Sequence, residues 1–267
     1  MVSVIIPTLN EETSLPQALE MLLAAPGSFE VIVVDGQSTD STREIARRYC
    51  RVFNCPPGRA RQMNRGVEQA RGDVLLFLHA DTLLPAGAIR SIENALANPR
   101  ILGGNFDIVY EGRRLASRIF TIINRWRRRC GIFYGDSGIF VRREVFRALG
   151  GFRPLPLMED YDFARRLEKA GKTICLQDSL RVSARRWEEH GLLRTMAAWF
   201  VIHLSYYFGI PHRFWARFYP PIRRPCSPKP GCSLLRGGLH HGFGSRQIDA
   251  RPDAHHERHD SRQLQER

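Results

Sequence analysis

The stretch LLFLHADTLLP, residues 75–85, sets the problem. Leu75 to Leu78 form an apolar run that stops abruptly at His79-Ala80-Asp81. An imidazole and a carboxylate at the end of a buried strand cost desolvation energy unless something there needs them. Working backward, Gly72-Asp73 turns the chain into this run, and GRARQMNRGVEQA (58–70) before it reads as a helix. Working forward, Pro85 opens a further helix to about Ala97. A strand entered from one helix and left into another is the repeating unit of an α/β layer structure.

The same alternation extends to the N-terminus. VSVII (2–6) is a short β-branched run, read as a buried strand that Pro7 ends. In TLNEETSLPQALEMLLAA, Leu15, Leu19, Leu22 and Leu23 have helical spacing, with Asn10 or Thr13 as N-cap. FEVIVVDGQSTDST gives a second strand ending at Asp35-Gly36, and Thr39 or Asp40 caps the helix STREIARRY. VFNCPP adds a third short strand. The first hundred residues therefore predict a mostly parallel central sheet flanked by helices. In such sheets ligands bind at the carboxyl ends of the strands, where Asp35 and Asp81 both fall.

Beyond residue 100 the pattern is looser. ILGGNFDIVYEG reads as an edge strand, and GIFVRREVFRALGGF as a strand, a helix and a glycine turn. MEDYDFARRLEKAGKT is a helix entered through acidic residues. AAWFVIHLSYYFGI (197–210) is too short for a membrane span and reads as a buried or interfacial helix. After Pro220 periodicity gives way to Pro, Gly, His and Arg, and residues 221–267 read as a disordered tail. Its histidines suggest metal, but a solvated tail is the plainer reading.

Composition limits the function. With 267 residues, 43% of them hydrophobic, the chain can bury a core without covalent staples. Its six cysteines form no C-x-x-C pair, which suits free thiols in the cytoplasm. No basic leader precedes the first strand, so no signal peptide is expected. The net charge of +13 suits nucleic acid, an anionic membrane surface or a phosphorylated substrate. Seven arginines between Arg113 and Arg129 alternate with Leu115, Ile119, Ile122, Ile123 and Trp126. That segment is either a solvated basic face or a platform for an anionic membrane or phosphate. A nucleic-acid module would bind with steep salt dependence. No nucleic-acid motif is present, so no such partner is expected.

No G-x-G-x-x-G follows the first strand and no P-loop occurs, which argues against nicotinamide, flavin and P-loop sites. A carboxylate at Asp35 can accept from a base N–H or a ribose hydroxyl. One at Asp81 can hold Mg²⁺ or Mn²⁺, with phosphates completing the coordination. His79 is either a second ligand or a packing residue. Met158-Glu159-Asp160 brings further carboxylates from elsewhere in the chain. Base on one side and metal on the other describe group transfer from a nucleoside diphosphate.

VSVIIPTLNEE, VIVVDGQSTDST, GDVLLFLHADT, GIFVRREVFRALGGF and EDYDFARRLEKAG occur in the order and spacing of a known family. Over roughly residues 1–190 the chain resembles a family 2 glycosyltransferase of the GT-A fold. GRARQMN, FLHADT and SARRWEEHG are similar to a bacterial subgroup labelled arsenosugar-biosynthesis-associated. The resemblance implies a GT-A domain at 1–220, with a nucleotide-binding half to about 100 and an acceptor half from 101. It implies that Pro7, Thr8, Asn10 and Glu11 line the nucleotide pocket and that Asp35 binds the nucleoside, with uracil as the base. Asp81 matches the last aspartate of the family's D-x-D, with His79 in place of the first. Asp160, preceded by Glu159, matches the catalytic base, which takes the acceptor hydroxyl's proton in a single inverting displacement. Asp136 orients the acceptor or shapes a turn. Arg61 and Asn64 reach the nucleotide or lie on a solvated helix face.

Ser183-Ala184-Arg185-Arg186-Trp187 is similar to the Q-x-x-R-W of processive members, but Ser183 replaces the Gln. Transfer of one hexose is therefore preferred to polymer synthesis. Arg186 would contact diphosphate, and Trp187 would stack on a sugar or sit in the core. The expected partners are a nucleotide sugar, UDP-linked, and a small-molecule or lipid acceptor. The expected location is cytoplasmic, peripheral on the inner face of the cell membrane. The alternative is a catalytically degenerate GT-A domain acting as a nucleotide-sugar-binding or membrane-associated scaffold.

Overall fold

The computed structural model describes residues 1–111, 121–122, 135–183 and 192–208. The first half runs β1 (Val2–Thr8), α1 (Leu15–Leu23), β2 (Phe29–Asp35), α2 (Thr42–Arg47) and β3 (Arg51–Asn54). It continues through α3 (Arg59–Gln69), β4 (Val74–Phe77), β5 (Thr82–Leu83) and α4 (Ala88–Leu96). The second half has β6 (Ile101–Glu111), a 3-10 turn at Gly135–Ser137, β7 (Ile139–Arg142) and α5 (Arg143–Ala148). It closes with α6 (Glu159–Ala170), β8 (Lys172–Ser183) and α7 (Leu192–Tyr207).

Among the described residues eight strands join one sheet in the order β3-β2-β1-β4-β7-β6-β8-β5. β3, β2, β1 and β4 are parallel, as the strand–helix alternation predicts. β7 is antiparallel to both β4 and β6, β8 is parallel to β6, and β5 is antiparallel to β8. The sheet is thus α/β and mixed, with its parallel block in the first half. Val4 and Ile6 of β1 join Leu15, Leu19 and Leu22 of α1 and Ile89 and Ile92 of α4 in one core. Ile5 joins Met63 and Val67 of α3 and Phe163 and Leu167 of α6 in the other. A strand covered on both faces needs apolar residues at every position, which is why VSVII and VLLF show no alternation.

Several local expectations change. β1 continues through Pro7 to Thr8. Ile5 O accepts from Leu78 N, so Ile5 faces β4, and Pro7, two residues on, faces the same side. The β4 register ends at Ile5, so the missing Pro7 N–H breaks no ladder bond. α1 follows Ser14 without a side-chain cap, and α4 starts at Ala88, three residues past Pro85. Asn10 caps no helix: its Oδ1 accepts from Thr39 N at 2.9 Å. The N-cap of α2 is Ser41, without a side-chain cap, and not Thr39 or Asp40; Asp40, one residue before it, accepts from Thr42 N at 3.0 Å. β6 is an interior strand between β7 and β8. Gly103 and Gly104 let the neighbouring backbones close in on it. Cys50, Cys55 and Cys175 are free thiols.

Candidate functional site

The carboxyl ends of β1 and β2 lie level, with Thr8 opposite Asp35 in the register. Asp35 is fully buried. Its Oδ2 accepts from Ser38 N at 2.9 Å, and its Oδ1 accepts from Ser38 Oγ at 2.5 Å and Thr8 Oγ1 at 3.3 Å. Arg43 Nε stands 3.9 Å from Oδ2. A carboxylate so occupied fixes the loop after β2, and a nucleoside would have to displace Ser38 to touch it. The loops after β1 and β2 are clipped together. Asn10 N donates to Ser38 Oγ at 2.9 Å, Glu11 N to Thr42 Oγ1 at 2.7 Å and Glu12 N to Asp40 Oδ2 at 3.2 Å. Glu11 is buried and Pro7 half-buried in this seam.

Helix α3 is fastened to the same edge by Gln62, which sequence reasoning passed over. Its buried Nε2 donates to Thr8 O and Val34 O, each at 2.8 Å. Its neighbours fall elsewhere. Asn64 exchanges two hydrogen bonds with the Phe152 backbone, at 2.8 and 3.0 Å, and so ties α3 to the loop before α6. Arg61 lies on the exposed face of α3.

A second group of residues gathers beyond β4. Phe77 pairs with Ile139 in the antiparallel β4–β7 register. The segment leaving β4, with His79 and Asp81, and the turn entering β7, with Asp136, therefore share one edge. The first two residues of α6, Glu159 and Asp160, close on it. Arg59, the first residue of α3, joins them. Its Nε is 3.1 Å from Glu159 Oε1, and its Nη2 is 3.4 Å from Asp160 Oδ2 and 2.7 Å from His79 Nε2. Guanidinium only donates, so His79 Nε2 accepts and this imidazole is neutral with its proton on Nδ1.

The electrostatics follow. Burial pushes the Glu159 carboxyl above its ordinary pKa. Arg59 opposes this, Asp160 adds to it, and the net shift is upward. Burial works to lower the Arg59 pKa, but Glu159, Asp160, Asp136 and Asp81 outweigh it and hold the guanidinium above its usual value. Three non-glycine residues among those described have positive φ, namely Asn10 (55°), Gln37 (68°) and Met158 (67°). Each sits in a loop bordering this edge, and such backbone strain, of order 1–3 kcal/mol each, is held where the surroundings over-determine it.

The metal expectation meets a different arrangement. Asp81 offers one hard oxygen, but the His79 Nε2 lone pair is spent on Arg59. Among the described residues no three His, Cys, Asp or Glu side chains are grouped to hold a metal ion. The residues as placed do not fit a divalent ion held by Asp81 and His79 together. Arg186 and Trp187 lie outside the described residues. Arg59 was missed because GRARQMN offers two arginines, and the helix start decides which one turns inward.

Comparison with known proteins places this geometry. Residues 3–150 match the family model "Glycosyl transferase family 2". A "PGL/p-HBAD biosynthesis glycosyltransferase" of Mycobacterium tuberculosis is 42% identical over 184 residues, covering 61% of this chain and 68% of that one. A "Probable glycosyltransferase YdaM" of Bacillus subtilis is 26% identical over 197 residues, covering 64% of this chain and 47% of its own. The chain thus spans about half the length of the Bacillus relative. Among solved structures, S. aureus TarS in complex with UDP-GlcNAc superposes with TM-score 0.56 at 20% identity, covering 68% of this chain and 58% of that one. Glucosyl-3-phosphoglycerate synthase from M. tuberculosis, in complex with Mn²⁺, UDP and phosphoglyceric acid, gives TM-score 0.52 at 23% identity, covering 68% and 69%. These likenesses show the GT-A fold, and the family match covers more than half of the sequence. The chain belongs to glycosyl transferase family 2.

Proposed function

We propose that the protein moves a single hexose from a UDP-sugar to an acceptor hydroxyl with inversion at the anomeric carbon. The observation that supports this best is the group of Arg59, His79, Asp81, Asp136, Glu159 and Asp160 at the carboxyl edge of a family 2 sheet. Asp160 is the general base. It takes the acceptor proton as that oxygen attacks C1, and the bond from C1 to the diphosphate breaks on the opposite face. Glu159 is nearly inaccessible and faces Arg59, so it orients that guanidinium instead of receiving the proton. Asp136 stands at the same edge and positions the acceptor. Thr8, Asn10, Glu11 and Asp35 build the nucleoside wall by holding the two loops together. UDP is chosen because structural neighbours carry UDP-GlcNAc and UDP. No step is routed through a divalent ion, since the placed residues do not assemble its ligands.

Calorimetry of the full chain against UDP-, GDP- and dTDP-sugars tests the reading, with the anomeric configuration of any product read by NMR. Saturable UDP-sugar binding and an inverted product are expected. Binding without turnover would favour the scaffold alternative, and a retained configuration would remove the base role from Asp160.

The acceptor side carries its own signal. Phe200 and Leu204 on α7 and Phe208 in the turn directly after it are 69%, 45% and 72% exposed and stand four residues apart. The opposite face packs on α6, with the Tyr161 and Tyr206 rings 5.3 Å apart. Beside Tyr206, Arg153, Arg165, Arg166 and Lys169 line a cleft in which Asp162 is the one acidic residue. An apolar stripe beside a cationic cleft suits an anionic lipid surface. No helix among the described residues is long and apolar enough to cross a membrane. In flotation, the protein is expected to rise with phosphatidylglycerol vesicles and to lose that binding in Phe200→Ser/Phe208→Ser. Recovery wholly in the lower fractions would refute the contact. The basic segment 113–129, apart from 121–122, lies outside the described residues.

A further inference from the structure

We propose that Arg59 is the diphosphate-binding cation of this site and takes the charge-neutralising role of a divalent ion, so that donor binding is independent of metal. The inference rests on the glycosyltransferase reading above and concerns its diphosphate subsite.

Position comes first. Arg59 opens α3, whose first turn Gln62 pins to the carbonyls ending β1 and β2. From there its guanidinium reaches the carboxylates of α6 and the His79 ring. That turn carries no acidic residue and no side-chain cap, so nothing of like charge opposes an incoming phosphate from α3 itself.

Charge comes second. The guanidinium is ion-paired with Glu159 at 3.1 Å and Asp160 at 3.4 Å, and the charges of Asp136 and Asp81 also act on it. A divalent cation entering there would meet a fixed positive charge only a few ångströms away. The imidazole at position 79 completes the exchange. A carboxylate there would hold Arg59 in a further full ion pair. Neutral His79 steers the guanidinium through one 2.7 Å hydrogen bond and adds no compensating charge. The lone pair a metal would need is the one that performs this steering.

Donor capacity comes third. Arg59 Nε stands 3.1 Å from Glu159 Oε1 as an ion pair without a hydrogen bond, and Nη2 reaches His79 and Asp160. Nη1 makes no hydrogen bond among the described residues, and the side chain is 44% exposed. Guanidinium offers paired N–H groups that match phosphate oxygens. When the C1–O bond breaks, its electron pair goes to the diphosphate oxygen, and Arg59 answers that charge by hydrogen bonding without giving up a proton. Turning toward the phosphates also loosens the 3.4 Å contact with Asp160, freeing that carboxylate for the acceptor.

The test is calorimetry of the full chain with UDP, with GDP and dTDP in parallel, and with uridine as the probe lacking phosphates. Each titration is run in EDTA and in Mn²⁺, on wild type, Arg59→Lys, Arg59→Ala and His79→Asp. Wild type is expected to bind UDP equally in both buffers. Arg59→Ala is expected to weaken UDP roughly 10- to 100-fold, the value of a charge-assisted hydrogen bond, with uridine unchanged. Arg59→Lys keeps the charge but loses the fork and should fall between. His79→Asp should make UDP binding sensitive to Mn²⁺. UDP binding that disappears in EDTA yet survives Arg59→Ala overturns the inference and leaves the glycosyltransferase reading intact. A wild-type protein that binds no nucleoside diphosphate in either buffer removes both.

Discussion

Asp160→Asn is expected to abolish sugar transfer while leaving nucleotide binding unchanged. The carboxylate sits at the first turn of α6, where its Oδ1 accepts from Tyr161 N at 2.7 Å and its Oδ2 faces Arg59. An asparagine of the same shape keeps an oxygen for the Tyr161 bond, so the helix start should survive. It has no lone pair able to take a hydroxyl proton at neutral pH. Loss of a general base costs typically about 10²- to 10⁴-fold in rate. Single-turnover transfer and calorimetric donor binding, measured on the same preparation, separate chemistry from affinity. Turnover within about twofold of wild type would be far smaller than that loss and would move the base role to another carboxylate of the group, with Asp136 next in line. The contrast with Glu159 is physical. The Glu159 carboxyl is buried and its oxygen is already directed at Arg59, so an acceptor hydroxyl has no open path to it.

The first half of the fold was legible because strands buried on both faces leave continuous apolar runs, and the helices between them keep a 3.6-residue stripe. The position of the site was legible for a related reason. Polar residues directly after such runs, as at Asp35, His79 and Asp81, fall on one edge of a parallel sheet. The direction of each side chain was not. Asp35 points back into its own loop because Ser38 and Thr8 supply enough donors to bury it. In GRARQMN, Arg59 and Gln62 turn toward the sheet edge while Arg61 faces solvent. That choice depends on the helix beginning at Arg59, and helix starts are set by tertiary contacts as much as by sequence. The second half was harder because β7 inserts antiparallel beside β4, a topological step that no local periodicity encodes.

Gly104→Ala is the substitution expected to damage the fold most, and the misjudged strand β6 explains why. ILGGNFDIVYEG reads as an edge strand, whereas glycine inside a strand also marks a site where another backbone approaches closely. In the structure Gly104 is registered with Phe140 on one side and Ile174 on the other. A Cβ on Gly104 would overlap Ile174 O and lie 2.9 Å from both Ile174 C and the Phe140 ring. The obstruction is mainly backbone, so no rotamer change relieves it, and β8 would have to move away from β6. Overpacking among side chains costs about 1–3 kcal/mol, and a backbone clash in the middle of a sheet should reach the top of that range or exceed it. For a domain of this size a loss of about 3 kcal/mol lowers Tm by roughly 6–12 °C. Gly150→Ala is the control. Its Cβ meets nothing within 4 Å, and only its φ of 73° opposes a side chain. That left-handed backbone costs about 1–2 kcal/mol. Thermal unfolding of the two variants side by side should place Gly104→Ala well below Gly150→Ala. Equal melting temperatures would mean that β6 and β8 part without cost, and the close approach of the two strands could not be the reason for a glycine at position 104.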